Sequence, residues 1–326
     1  MIRFGIIGTN WITERFLEAA FMVEDFSLAA VYSRSEEKAK AFASNYNVDL
    51  TFTSIEEMVQ SDHIDAVYIA SPNSLHAEQA ILCMKNGKHV LCEKPLASNQ
   101  KEVKEMIEVA KENHVLLMEA MKSTLIPSFT HIKEHLQKIG PIRRYFATFC
   151  QYSSRYDQYK QGTILNAFNP KFSNGALIDI GIYCIYPLVD LFGKPKSVQA
   201  NGTMLESGVD GQGSILLQYD DMEAVVMYSK ITHSDFSNEI QGEEGSIIIN
   251  KISSPSKVEL IYRNGNKEDL SQSQHTNTML YEIQHFIDLL KNQQYESSIN
   301  TFEKSLVVTE IMDEARKQIG VIYPAD

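Results

Sequence analysis

Three side chains combine a reactive type with a setting that favours chemistry. Lys94 lies between Glu93 and Pro95 at the lip of an otherwise apolar run, His89 to Cys92. That is a poor place for a solvated surface amine and a good one for meeting a substrate oxygen. Moving a hydride off a carbinol carbon requires a group that takes or returns the hydroxyl proton, and a nearby cation stabilises the developing alkoxide. Asp179 and Tyr183 stand at i and i+4 in the apolar stretch Asn174-Gly175-Ala176-Leu177-Ile178-Asp179-Ile180-Gly181-Ile182-Tyr183, so a helix makes them neighbours. Asp179 is suited to binding a hydroxyl and Tyr183 to donating or accepting a proton. A free phenol titrates near 10, so base action near neutrality needs a cation such as Lys94 beside it. Gly181 inside a helix costs about 0.5–1 kcal/mol relative to Ala, and close approach by a flat ring or another backbone is the expected compensation. The plainer alternatives are a salt bridge from Lys94 to Glu93 or another carboxylate, and hydrogen bonding of Asp179 and Tyr183 within a domain interface.

A nucleotide would supply the hydride acceptor. Gly8-Thr9-Asn10-Trp11-Ile12-Thr13 follows the first apolar run where a dinucleotide fold places G-x-G-x-x-G/A, yet only the first glycine is kept. Asn10 can still adopt a positive φ in place of the second glycine, because its short polar side chain tolerates the left-handed region, and Thr13 costs some closeness of helix and strand. The helix N-terminus would then carry the pyrophosphate. At the end of the second strand the chain reads Val31-Tyr32-Ser33-Arg34-Ser35, with no carboxylate before Glu36 and Glu37. NAD is normally held there by an acidic residue on the 2′-hydroxyl, whereas Arg34 with Ser33 and Ser35 suits a 2′-phosphate. NADP is therefore expected; if Arg34 only stacks on adenine, NAD binds as well. Ser71-Pro72-Asn73-Ser74-Leu75-His76, Glu93-Lys94-Pro95 and Glu119-Ala120-Met121-Lys122 each follow a strand end, where open α/β sheets bind ligands. For His76 the plainer role is packing or capping.

The elements that position these groups follow from periodicity. Over the first ~120 residues, strands are expected at Ile2 to Ile7, Ser27 to Tyr32, Leu50 to Phe52, Ala66 to Ala70, His89 to Cys92 and Val115 to Met118, alternating with helical patterns. Ser54 with Glu57 makes a capping box, Gly87 ends the helix from Leu75, and Ser98 or Asn99 starts another. From Ile142 the period changes to two: Arg143 to Tyr152, Ser197 to Met204, Gly213 to Tyr219, Met222 to Lys230, Ser246 to Asn250 and Lys257 to Tyr262 read as an antiparallel sheet. Helices are expected after Pro127, at Leu177 to Phe192, Leu280 to Lys291 and about 302–319. The fold class is α/β, a doubly wound parallel sheet over residues 1–121 followed by an α+β domain with a large open-faced, mainly antiparallel sheet over 122–326. The last helix is a candidate to pack back on the first domain.

Composition narrows the function classes. At 326 residues the chain is about two average domains long. Thirty Lys plus Arg against 42 Asp plus Glu give a net charge of -12, which argues against nucleic acid and anionic membranes as partners. Cys83, Cys92, Cys150 and Cys184 form no CxxC pair and no zinc spacing, so no metal is expected and a reducing cytoplasm is the simplest home. No signal-peptide core and no run of ~18 uncharged apolar residues is evident.

Together these residues resemble the Gfo/Idh/MocA family of NAD(P)-dependent oxidoreductases, named for glucose-fructose oxidoreductase and inositol dehydrogenase. Glu93-Lys94-Pro95 and Gly175 to Cys184 are the most specific marks, supported by the run from Ser71 to His76. The resemblance covers nearly the whole chain and implies a cytoplasmic, NADP-preferring enzyme acting on a secondary alcohol or carbonyl of a sugar, polyol or cyclic diol. It places Lys94 and Asp179 at the family's catalytic and substrate-orienting positions, and implies a homodimer or homotetramer through the second sheet. A Lys-Pro bond is often cis in relatives. Tyr183 stands where many members carry His, which is closer to the glucose-fructose oxidoreductase and dihydrodiol dehydrogenase branch. Lys122 and Thr124 stand where that branch tends to have Trp and Arg. The rival reading is a non-catalytic NAD(P)-binding sensor or co-regulator on the same scaffold.

Overall fold

A computed structural model describes all residues 1–326. In chain order the elements are β1 (Ile2–Ile7), α1 (Trp11–Ala20), β2 (Phe26–Tyr32), α2 (Glu36–Ser44), β3 (Leu50–Phe52), α3 (Ile55–Val59), β4 (Ala66–Ile69), α4 (His76–Lys85), β5 (His89–Glu93), α5 (Gln100–Glu112), β6 (Leu117–Ala120), α6 (Pro127–His135), β7 (Ile142–Cys150), α7 (Tyr156–Lys160), α8 (Ile182–Phe192), β8 (Ser197–Met204), β9 (Asp210–Gln218), β10 (Glu223–Ser229), β11 (Asn238–Gly242), β12 (Gly245–Ile249), β13 (Val258–Tyr262), β14 (Lys267–Asp269), α9 (Met279–Lys291) and α10 (Phe302–Ile319). The chain divides into two compact units, residues 1–121 with 275–302, and residues 122–274 with 303–326.

The first unit carries a six-stranded parallel sheet in the order β3-β2-β1-β4-β5-β6. Its strands are apolar on both faces because helices cover both, as parallel sheets require. Successive residues of β1 show this directly. Phe4 meets Phe16 of α1 and Phe286 of α9, with ring centroids at 6.4 and 5.7 Å, while a side chain on Gly5 would run into Ile64 and Met58 of α3 on the opposite face. The strand order reverses between β1 and β4, and the carboxyl ends there form the crevice that binds nucleotides in doubly wound sheets.

Residues 275–302 correct the expected domain organisation. The helix at Leu280 to Lys291 was read as part of the second domain, but it belongs with the first unit. Besides Phe286 on Phe4, Asn277 donates to the Arg15 carbonyl at 2.8 Å, Lys291 pairs with Asp25 at 2.7 Å, and Asn300 donates to the Met121 carbonyl at 3.1 Å. The last helix, in contrast, stays with the second unit: Lys304 pairs with Asp190 at 2.5 Å and Gln318 donates to the Val198 carbonyl at 2.9 Å. No long-range tertiary bond is readable in the amphipathic pattern of either helix.

The second unit carries an eight-stranded sheet in the order β14-β13-β12-β11-β7-β10-β9-β8. It is mixed rather than purely antiparallel, since β7 and β10 pair in parallel. The sequence reading missed β11 and β14, the first because Asn-Glu-Ile-Gln-Gly carries one apolar residue and the second because it has three residues, all polar. The segment Pro170–Phe192 is, by length and hydropathy, apolar enough to cross a membrane, which the sequence reading overlooked; 72% of its most apolar window is buried inside the protein.

Candidate active site

In the first unit, Gly8 ends β1 with φ +106, and a Cβ there would lie 2.6 Å from the Ala70 carbonyl oxygen. Only glycine fits this approach between the ends of β1 and β4. Asn10 does not use the positive φ open to it. It is extended at φ -115 and caps α1, its Oδ1 accepting from Ile12 at 2.9 Å while its Nδ2 donates to the Ala70 carbonyl at 2.8 Å. One side chain thus replaces the second glycine's conformational freedom with a cap and a tie to β4. Thr13 is buried, and its hydroxyl donates to the Gly8 carbonyl at 2.8 Å, so the third-glycine position is filled by a bonded group rather than left loose. Thr9 and Ile12 are half-buried, and Trp11 is 62% exposed.

At the end of β2, Ser35 caps α2 by accepting from Lys38 at 3.4 Å, Ser33 is half-buried and its Oγ accepts from the Ser35 amide at 3.5 Å, and Arg34 is exposed with no ion-pair partner. Glu36 is held by Lys40 at 2.6 Å and its carboxyl is pulled below the usual range by that ammonium. The Arg34 guanidinium is among the charges left open at this edge, with the exposed Glu37 and Lys38 on the next helix.

The loops after β4 and β5 are clasped together by His76, which is fully buried. Its Nδ1 lies 2.8 Å from the Pro95 carbonyl and its Nε2 2.9 Å from the Ser71 carbonyl. Burial pushes the ring below its ordinary pKa while the two carbonyls pull the other way. The capping role foreseen for His76 is thus a bridge between two strand-end loops. Ser71 donates to Gln79 at 2.7 Å, and Pro72 and Asn73 are half-buried. Glu93 is buried and accepts from the Tyr68 hydroxyl at 2.6 Å, Leu96 donates to Glu119 at 3.0 Å, and the Lys94-Pro95 bond is cis. Every residue from Val90 to Asn99 is buried except Lys94.

The second unit repeats that pattern. From Gly175 to Val189 only Asp179 and Tyr183 escape burial. The turn Leu177–Gly181 is π-helical and runs into α8, so Asp179 and Tyr183 are four residues apart across a widened turn rather than along a uniform α-helix. Gly181 has the ring neighbour expected of it: a Cβ there would lie 3.2 Å from the Tyr228 ring. Tyr183 makes an edge contact with Phe149 at 5.9 Å. Asp179 pairs with Lys230 at 2.5 Å, a partner not legible in the sequence because Lys230, just after a β-strand and 51 residues away, carries no motif. Elsewhere, His131, Glu134 and His135 bring ligand-type atoms within 4.8 Å of one another on α6, where no metal spacing had been read; both Nδ1 atoms sit on backbone carbonyls, of Leu270 at 2.9 Å and His131 at 2.8 Å.

Comparison with known proteins fits these motifs. A family profile described as oxidoreductase family, NAD-binding Rossmann fold, matches residues 2–121, and the Gfo/Idh/MocA C-terminal domain profile matches residues 129–248. A scyllo-inositol 2-dehydrogenase (NADP(+)) of Bacillus subtilis (strain 168) is 58% identical over 326 residues, covering 100% of this chain and 99% of the relative. A trans-1,2-dihydrobenzene-1,2-diol dehydrogenase of Xenopus tropicalis is 34% identical over 340 residues, covering 99% of each. Among solved structures, a 3-ketoreductase from Actinomadura kijaniata in complex with NADP and TDP-benzene superposes with a TM-score of 0.86 at 25% identity, covering 99% of both chains.

Proposed function

The chain belongs to the Gfo/Idh/MocA family of NAD(P)-dependent oxidoreductases, and on that premise we propose that it is an NADP-preferring dehydrogenase of a cyclic polyol, with scyllo-inositol and its 2-keto form as the reacting pair. The substrate class follows the 58% identical relative, and the diol dehydrogenases at 34% point to the same vicinal secondary hydroxyls on a six-membered ring.

The residues present fit the cofactor. The cradle at Gly8 has no room for a Cβ, the amides of the first turn of α1 follow it, and Arg34 stands open beside Ser33 and Ser35. Gly8, Thr9, Asn10, Trp11 and Ile12 would line the pyrophosphate, Ser33 and Arg34 the 2′-phosphate, and Ser71, Pro72, Asn73, His76, Glu93 and Lys94 the remainder. When bound, the nicotinamide supplies the hydride acceptor or donor. In the oxidative direction the carbinol hydroxyl gives its proton to the Lys94 amine or the Tyr183 phenolate as the carbon loses hydride, and Asp179 accepts a hydrogen bond from a ring hydroxyl and so sets which carbon reacts. In reduction the same groups return the proton to the carbonyl oxygen.

The observation that supports this reading most is the burial pattern. In two anchored, otherwise buried stretches only Lys94, Asp179 and Tyr183 are half-buried. Side chains that served packing alone would have no reason to be the exceptions. We further infer a cytoplasmic homo-oligomer. Three of the four free cysteines are buried and none is disulfide-bonded, and the outer face of β8–β10 exposes Leu216 at 51% and Met227 at 43%, apolar area that a second copy would cover. Turnover followed by nicotinamide absorbance over scyllo-inositol, other inositols, trans-diols and aldoses, with NADP and with NAD, tests the assignment. The expected result is highest kcat/KM for a cyclic polyol with NADP; no turnover of any cyclic polyol overturns it.

A further inference from the structure

Lys230 is a cation sealed inside the second unit beside Asp179. It follows β10 directly and is 4% exposed. Its ammonium lies 2.5 Å from Asp179 Oδ2, 3.5 Å from the Ala167 carbonyl and 5.3 Å above the Phe168 ring. An ammonium loses its hydration on burial and is tolerated only where fixed anions and dipoles replace the water. Here the carboxylate, the carbonyl and the ring face do so, and each restrains where the ammonium can sit.

The other end of the pair is half in solvent, since the Asp179 side chain is 36% exposed. A carboxylate held only from the surface would rotate among χ1 and χ2 states and accept a substrate hydroxyl in several poses. Pinned at Oδ2 by a buried side chain, the carboxylate is held in one orientation. The backbone carrying Asp179 is fixed from the same side. Asp210, fully buried at the start of β9, accepts from the Leu177 amide at 2.7 Å and anchors the first turn of the segment. Lys230 also lies within electrostatic reach of Asp210. One buried cation therefore serves two carboxylates, one that anchors the helix start and one that faces outward.

We propose that Lys230 is a positioning residue for the polyol site: it acts through Asp179, holding that carboxylate in a single orientation so that one ring hydroxyl of the substrate is chosen. The proposal rests on Asp179 being the hydroxyl-binding carboxylate. A merely structural ion pair would affect folding and leave the ligand equilibria of the folded protein alone.

The test reads binding, because it works in slow variants. Scyllo-inositol cannot react with NADPH-loaded enzyme, so calorimetry of that dead-end complex gives a polyol Kd, and titration of the free enzyme gives the NADPH Kd. Lys230→Met is expected to weaken polyol binding about tenfold and leave the NADPH Kd within twofold. Asp179→Asn and the double variant D179N/K230M are expected to match each other, since Lys230 has nothing to act on once the charge is gone. Polyol binding by K230M equal to the parent's overturns the proposal, as does a double variant weaker than D179N by the full K230M factor. Should K230M fail to fold because Asp179 is left uncompensated, the neutral double variant decides by the same comparison with D179N. A parent protein that binds NADPH but no polyol overturns the substrate reading instead.

Discussion

The Tyr68 hydroxyl donates to Glu93 at 2.6 Å inside the first unit, one residue before Lys94. Tyr68 is itself immobilised, its ring stacked 3.6 Å from Phe16 at 7°, and burial pushes its phenol well above the ordinary range, with Glu93 adding to the shift. Glu93, the residue before Lys94, is thus held by a buried phenolic donor. Replacing Tyr68 by Phe removes a donor to a buried carboxylate, which costs about 1–3 kcal/mol. Urea unfolding should show a midpoint lowered to match at pH 7, and an unshifted midpoint would separate Glu93 from this bond.

Lys94→Ala should lower kcat by roughly a hundredfold or more, the usual scale for losing a general acid–base group. NADPH affinity, measured by fluorescence titration, should stay within a few-fold, because the backbone around residue 94 is anchored by its buried neighbours. Equal turnover in variant and parent would remove the amine from the reaction.

Arg34 is exposed without an ion-pair partner, so its guanidinium is available to a 2′-phosphate. Arg34→Ala should weaken NADP by about ten- to a hundredfold, corresponding to the roughly 1.5–3 kcal/mol of a charged hydrogen bond, and leave NAD almost unaffected. Ser33→Asp should go further and invert the preference by repelling that phosphate. Parallel losses for both nucleotides would reassign Arg34 to the adenine.

Asp210 carries a stability prediction with a definite sign. Burial pushes its carboxyl up to about 6 from 3.8. Across that window the folded protein binds more protons than the unfolded chain, so this group's contribution falls as pH rises from 4 to 6 and stays lost above it. At 1.36 kcal/mol per pH unit the loss is on the order of 3 kcal/mol. Asp210→Asn keeps an acceptor for the Leu177 amide without a charge to bury. Its stability relative to the parent should improve between pH 4 and pH 7, and superimposable stability profiles would contradict the assignment.

Leu216→Arg on the outer face of β9 should leave the fold intact and halve the mass seen by sedimentation equilibrium. A parent already monomeric would dispose of the oligomer.

The sequence was legible where physics is local. Alternating β and helical periods place the six parallel strands, though β6 lies two residues later than read, and the apolar runs around Lys94 and Asp179 expose the two stretches that matter. Illegible were the contacts made at a distance. Lys230 looks like any strand-terminal lysine until β10 brings it to Asp179, and Leu280 to Lys291 carries an amphipathic face that says nothing of whose core it covers. The conformation of Asn10 was open for another reason. A residue that tolerates positive φ is also a good N-cap, and only the Ala70 carbonyl above it decides between the two.

The return of residues 275–302 to the parallel sheet has a consequence during synthesis. The aromatic cluster around Phe4 lacks Phe286 until that residue itself has left the ribosome, so the nascent β1 region emerges with that face bare. A fragment ending at residue 121 would keep the nucleotide loops and lack the helix whose Phe286 packs on Phe4. Any attempt to express the cofactor half alone should therefore splice 275–302 back onto it.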